Sequence, residues 1–146
     1  HASSEVRDQR EPDVAALLKG AVESDPRCRS VAAASLGRAG EFDFLRALYE
    51  STGDAGALEG IVAADADSGR AFAREALNYG KPPALRVRAV RLLPGATIAP
   101  FIDDPDPAVR RAVIERLDDS AIIAARFAKE TDRDVRKAAL RRLRGM

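Results

Sequence analysis

Apolar residues recur along this chain at intervals of three and four, the spacing of a helix with one buried side. Val14, Leu17 and Leu18 mark such a helix over 11–22, and Phe44, Leu45 and Leu48 mark another over 41–51. Phe72, Ala76 and Leu77 predict a helix over 68–79. Ile98, Phe101 and Ile102 predict one over 96–102, and Ile122, Ile123 and Phe127 one over 119–129. Partner helices lie between these, centred near positions 31, 59, 89, 112 and 138; the one over 54–64 opens at Asp54 and carries Leu58, Ile61 and Val62. Breaks are predicted at Gly20, Gly40, Gly53, Gly80, Pro94-Gly95 and Asp118-Asp119.

The partner helices share a motif. Asp106-Pro107-Ala108-Val109-Arg110 leads to Leu117, and Asp132-Arg133-Asp134-Val135-Arg136 leads to Leu143. Asp25-Pro26-Arg27-Cys28-Arg29 leads to Leu36, and Leu85-Arg86 leads to Leu93 with Pro82 and Pro83 where the Asp would stand. In each copy the Arg precedes the Leu by seven residues, two turns along one helix face. The Asp reads as an N-cap, and Pro after it has a φ suited to the first turn. Ala112 and Ala139 sit mid-stripe, where small side chains let helices approach, and both are expected to be buried.

Composition narrows the chemistry. The 146 residues suffice for one domain, which at that length buries roughly 70% of its unfolded surface without needing a disulfide. Aromatics make up 5% of the chain and Trp is absent, while Ala and Leu favour helix. Cys28 is the single cysteine, which excludes an intrachain disulfide and a thiolate metal cluster and suits a reducing, cytoplasmic setting. At the Val position of its motif, Cys28 is expected to be a small core residue. His1-Ala2-Ser3 reads as a tag remnant, and with it the only histidine leaves the functional argument, excluding Ser-His-Asp and Cys-His catalysis. Residues 1–10 are taken as this remnant plus a polar N-terminal cap, and 11–146 as the repeat domain. No stretch approaches the ~20 apolar residues of a membrane span. Net charge is +1, but residues 1–80 carry 9 Lys+Arg against 14 Asp+Glu, and residues 81–146 carry 15 against 9. Asp65-x-Asp67 with Gly69 fails as a calcium loop, because Arg70 and Ala76 stand where Gly and Glu belong. No metal or cofactor is expected.

With its D-x-x-V-R opening and alternating helices, the chain resembles the HEAT-like repeat family. Residues 85–143, with Pro94-Gly95 and Asp104-Pro105-Asp106-Pro107-Ala108-Val109-Arg110, also resemble the leucine-rich-repeat-variant proteins. The resemblance implies an all-α, right-handed α-solenoid of about five HEAT-like helix pairs, and a 3₁₀ helix over 96–102. It implies a binding scaffold and not an enzyme. It further implies that the repeat arginines Arg29, Arg86, Arg110 and Arg136 pair with Asp25, Asp106 or Asp132 in a ladder, so Arg110 should reach Asp106 or Asp132.

A second set of cations is better placed for a partner. Arg111, Lys137 and Arg141 lie one and five residues past the repeat Arg, on a shared outward stripe flanked by Arg88 and Arg91. In a solenoid such second helices line the concave side. The stripe suits an acidic or extended protein segment; the alternative is nucleic-acid phosphate. No aromatic side chain is interleaved with these cations, which disfavours base stacking and hence the nucleic-acid alternative.

Overall fold

Five aspartates start five of the helices. The side chains of Asp13, Asp54, Asp106, Asp119 and Asp132 accept from the backbone N–H groups of Ala16, Ala57, Ala108, Ala121 and Asp134 respectively, satisfying donors that a helix start leaves open. The computed structural model describes residues 13–146, and they are all-α: ten α-helices, one 3₁₀ helix and no strand among the described residues. The expected tag remnant and polar cap, residues 1–10, lie outside them. No described helix is long and apolar enough to cross a membrane.

The chain divides into two compact units, the first ending at Gly69 and the second running from Arg70 to Met146. The first contains α1 (Val14–Ser24), α2 (Arg29–Arg38), α3 (Phe42–Thr52) and α4 (Ala55–Ala64). The division falls within α5 (Ala66–Ala76). The second contains α6 (Pro83–Leu92), α7 (Gly95–Ile98), a 3₁₀ helix (Ala99–Asp103), α8 (Pro107–Arg116), α9 (Ser120–Lys129) and α10 (Arg133–Arg144). The expected 3₁₀ segment is present, but only over the second half of its predicted span.

In the first unit α2 and α4 pack backbone to backbone. A Cβ on Gly56 would lie 2.1 Å from the Ser30 carbonyl oxygen, and one on Gly60 would lie 2.5 Å from that of Ala33. Only hydrogen fits there. Leu36, Leu45, Leu58 and Ile61 are fully buried around this seam, and the Ser30 hydroxyl donates to Asp54 at 2.8 Å. Helix α3 closes on Gly53, whose φ of 67° is left-handed and whose N–H donates to the Tyr49 carbonyl.

Three local expectations fail in this unit, the first at Asp25, which does not N-cap α2 but stands at the C-terminal end of α1. Gly20 does not break α1, which runs on to Ser24; the site is open to solvent, so lost side-chain packing costs nothing there. Cys28 is exposed and not a core residue. The turn after Asp25 delays the start of α2 until Arg29, which leaves Cys28 as an N-cap and takes it off the buried stripe.

In the second unit α8 packs between α6 and α10, with the 3₁₀ helix against α8 and α9 against α10. Val109, Ala112 and Val113 of α8, and Val135, Ala138 and Ala139 of α10, are buried, as the sequence stripe requires. Ala112 and Ala139 are both in the core.

The glycine seam gives a direct comparison. Gly56→Ala should lower the free energy of unfolding by ~1–3 kcal/mol through overpacking. Gly20→Ala should raise it by ~0.5–1 kcal/mol, because alanine is the better helix former and its Cβ would meet nothing within 4 Å. Urea unfolding of both variants checks this; the opposite order would show that the α2–α4 contact is not as close as described.

Candidate functional site

Two arginine–carboxylate pairs are buried in the second unit. Arg86 donates through Nε and Nη2 to the Asp104 carboxylate at 3.1 and 2.9 Å, and its Nη1 donates to the Lys81 carbonyl. Arg110 donates likewise to Glu130 at 2.8 and 2.9 Å, with Nη1 on the Asp104 carbonyl at 2.9 Å. Such planar, two-pronged pairing is geometry that Arg alone provides. Each carboxylate also accepts from its own loop: Asp104 from the Asp106 N–H at 2.8 Å, Glu130 from that of Asp132 at 2.9 Å. One residue thereby ties the end of a first helix, the start of a second helix and the preceding copy together.

The ladder's carboxylates are therefore not the ones the motif named. Asp106 and Asp132 are occupied as N-caps and only add their charge near Arg110. Asp104 and Glu130 stand two residues earlier, and that shared spacing was the available signal. Arg136 donates to the Phe127 and Glu130 carbonyls at 3.0 and 2.9 Å and lies 4.2 Å from the Phe127 ring centroid. Arg29 makes no pair with Asp25; starting α2, it donates instead to the Val22 carbonyl at 3.1 Å.

Around Glu130 the electrostatics have a clear sign. Burial pushes its carboxyl pKa up, but the Arg110 hydrogen bonds, the Asp132 N–H and the Arg110 and Arg126 charges outweigh it, holding it below the usual carboxylate range. Arg110 is raised by the same Glu130 hydrogen bonds, against the effect of burial.

A second ladder escaped the sequence reading. Arg116 donates to the Leu93 carbonyl at 2.7 Å, and Arg142 donates to that of Leu117. Each satisfies the C-terminal end of the preceding second helix. The signal was the six-residue spacing of Arg110 to Arg116 and Arg136 to Arg142.

The expected basic stripe falls along α6, α8 and α10. A groove of about 410 Å³ is lined by Arg91 and Val87 of α6, Arg111 and Glu115 of α8, and Asp134 and Val135 of α10, among others. A smaller hollow of about 240 Å³ joins Arg111 to Asp134, Lys137 and Arg141. Arg91, Lys137 and Arg141 are exposed and have no carboxylate within ion-pair distance among the described residues. Arg111 is paired with Glu115 at 2.8 Å, and Arg88 is half-buried with interactions of its own. The surface is thus mixed in charge where a continuous cationic stripe was expected, because Glu115 and Asp134 interrupt it.

The described residues include no histidine, and no three of their Cys, Asp and Glu side chains are grouped to hold a metal ion. The Cys28 thiol is exposed, and hydrogen bonding to Asp25 together with that carboxylate's charge raises its pKa. That opposes nucleophilic activation. No family model, no curated protein and no solved structure matches the chain.

Two expectations follow from these groups. Because the folded pKa of Glu130 lies below its unfolded value of ~4.3, its stabilisation is complete above that pH and is lost as pH falls through the folded pKa. Glu130→Gln should therefore cost about 3–5 kcal/mol at pH 7, leaving Arg110 without its counter-charge, and the gap to wild type should narrow below about pH 4. A gap independent of pH would mean that the Glu130 charge contributes nothing. For Cys28, Asp25→Asn should speed alkylation by iodoacetamide at pH 8, since removing the charge increases the thiolate fraction. A slower reaction would contradict the assigned cause.

Proposed function

We propose that this chain is a non-enzymatic protein-interaction scaffold, a cytoplasmic HEAT-like solenoid with a C-terminal part similar to leucine-rich-repeat-variant proteins. It holds an acidic or extended partner segment against Arg91, Arg111, Lys137 and Arg141, with the half-buried Arg88 on the same helix as Arg91. The observation that supports this most is the groove across α6, α8 and α10, which offers unpaired cations beside carboxylates and no catalytic grouping. An extended peptide matches such a lining, since it presents acidic side chains together with backbone donors. Phosphate chains match it less well, because Glu115 and Asp134 repel them and no aromatic side chain lines the groove. The free, exposed Cys28 fits a reducing compartment.

The test compares two probes on wild type and an Arg111→Glu/Arg141→Glu variant. A fluorescein-labelled extended peptide of alternating Glu and Gly should bind the wild type and lose at least tenfold, about 1.4 kcal/mol, in the variant. Labelled duplex and single-stranded oligonucleotides should show no useful affinity at physiological salt. Tight oligonucleotide binding that falls by a log–log slope of about −0.9 per duplex phosphate, and that the variant abolishes, would replace this reading with a nucleic-acid-binding one. Failure of the peptide to bind would defeat it outright.

A further inference from the structure

The rungs follow a rule that one arginine does not complete. Arg86 and Arg110 both present Nε and Nη2 to a carboxylate that caps the C-terminal end of a first helix. Arg136 has the same repeat position and the same Nη1 bonds to carbonyls, but its Nε and Nη2 meet no carboxylate among the described residues. Four residues along the same face is Leu140, 41% exposed. Its repeat equivalents, Val90 four after Arg86 and Ile114 four after Arg110, are both 0% exposed. In α6 and α8 this position is covered within the second unit; in α10 it is open. The outward side of α10 therefore has the chemistry of a repeat junction: an apolar side chain beside a guanidinium that can take a carboxylate.

A matching surface lies in the first unit of the same chain. Asp25 caps the C-terminal end of α1 and accepts from the Arg27 N–H at 3.0 Å, the same N–H two residues on that Asp104 and Glu130 take. Its only ion pair among the described residues is a 3.6 Å contact with the exposed Arg27, of a kind that contributes little. Beside it, α1 and α2 expose Val14, Leu17 and Val31, the last 72% exposed. Apart from Tyr79, every large hydrophobic residue exposed among the described residues lies on α1, α2, α10 or the residues just after α10. Charge is complementary as well, residues 1–80 carrying net −5 and residues 81–146 net +6.

We propose that copies of this chain associate head to tail, α10 of one packing on α1 and α2 of the next, with Arg136 taking the neighbour's Asp25 and Leu140 meeting its Val31. The contact joins two different surfaces, so it is heterologous and propagates beyond a dimer. It does not depend on the groove reading.

Sedimentation velocity on the full chain tests this with two exposed-site variants. Wild type should gain mass steadily with concentration. Val31→Glu spoils the head and Leu140→Glu spoils the tail, so each alone should be monomeric. Their equimolar mixture should form a dimer and nothing larger, since one intact tail meets one intact head; that recovery also shows both variants are folded. A wild type that stays monomeric up to about 1 mM overturns the proposal, because no useful self-affinity would exist. So does a Val31→Glu variant that still dimerises alone, which would mean tail-to-tail pairing, or a mixture that remains monomeric.

Discussion

The second unit depends on the buried pairing of a second-helix arginine with a carboxylate at the preceding loop of the next copy. Burying a charge pair does not by itself stabilise a fold, because desolvation offsets most of the attraction. What it does is penalise error. If α8 slid by one turn on its neighbours, the buried Glu130 would lose its two-pronged Arg110 partner and keep only the Arg126 Nε contact at 3.2 Å, at a cost that apolar side chains would not impose. Because Glu130 also holds the Asp132 N–H, the same pair sets where α10 begins. Register between copies and the start of the next helix are thus fixed by one residue.

The first unit reaches the same end by another route. It has no buried Arg–carboxylate rung among its described residues; Arg29 starts α2 and reaches only a carbonyl. Gly56 and Gly60 set the spacing of α2 and α4 instead, through backbone contact that tolerates no Cβ. Steric exclusion is as specific as a charge pair, since any slide would drive a side chain into a carbonyl. The two units therefore share a helical pattern but not the interaction that locks it.

This difference explains what could be read from the sequence. The helix starts at Asp54, Asp106 and Asp132, the helix order and the buried Ala112 and Ala139 were legible from local sequence spacing, whereas Asp25, read the same way, stands at the end of α1. Asp104 and Glu130 were not legible, because the D-x-x-V-R motif starts after them and their partners lie 18 and 20 residues away. Cys28 was misplaced by the assumption that all four motif copies start their helices alike. In the stripe, counting cations alone hid Glu115, although its place four residues after Arg111 on a helix makes that pairing expected.

Adjacent basic residues on the second helices have opposite fates, and the reason is geometric. Consecutive helical residues point about 100° apart, so when Arg110 turns inward to Glu130, Arg111 must turn outward into the groove. The same holds for Arg136, directed to the α9 carbonyls, and Lys137, directed to the groove. The inward residue fixes the rotation of the helix about its axis, and that rotation aims the outward one. Groove charge can then change at Arg111, Lys137 or Arg141 without disturbing a buried partner. A unit held by its inward arginines leaves the lining of its groove free to be rewritten.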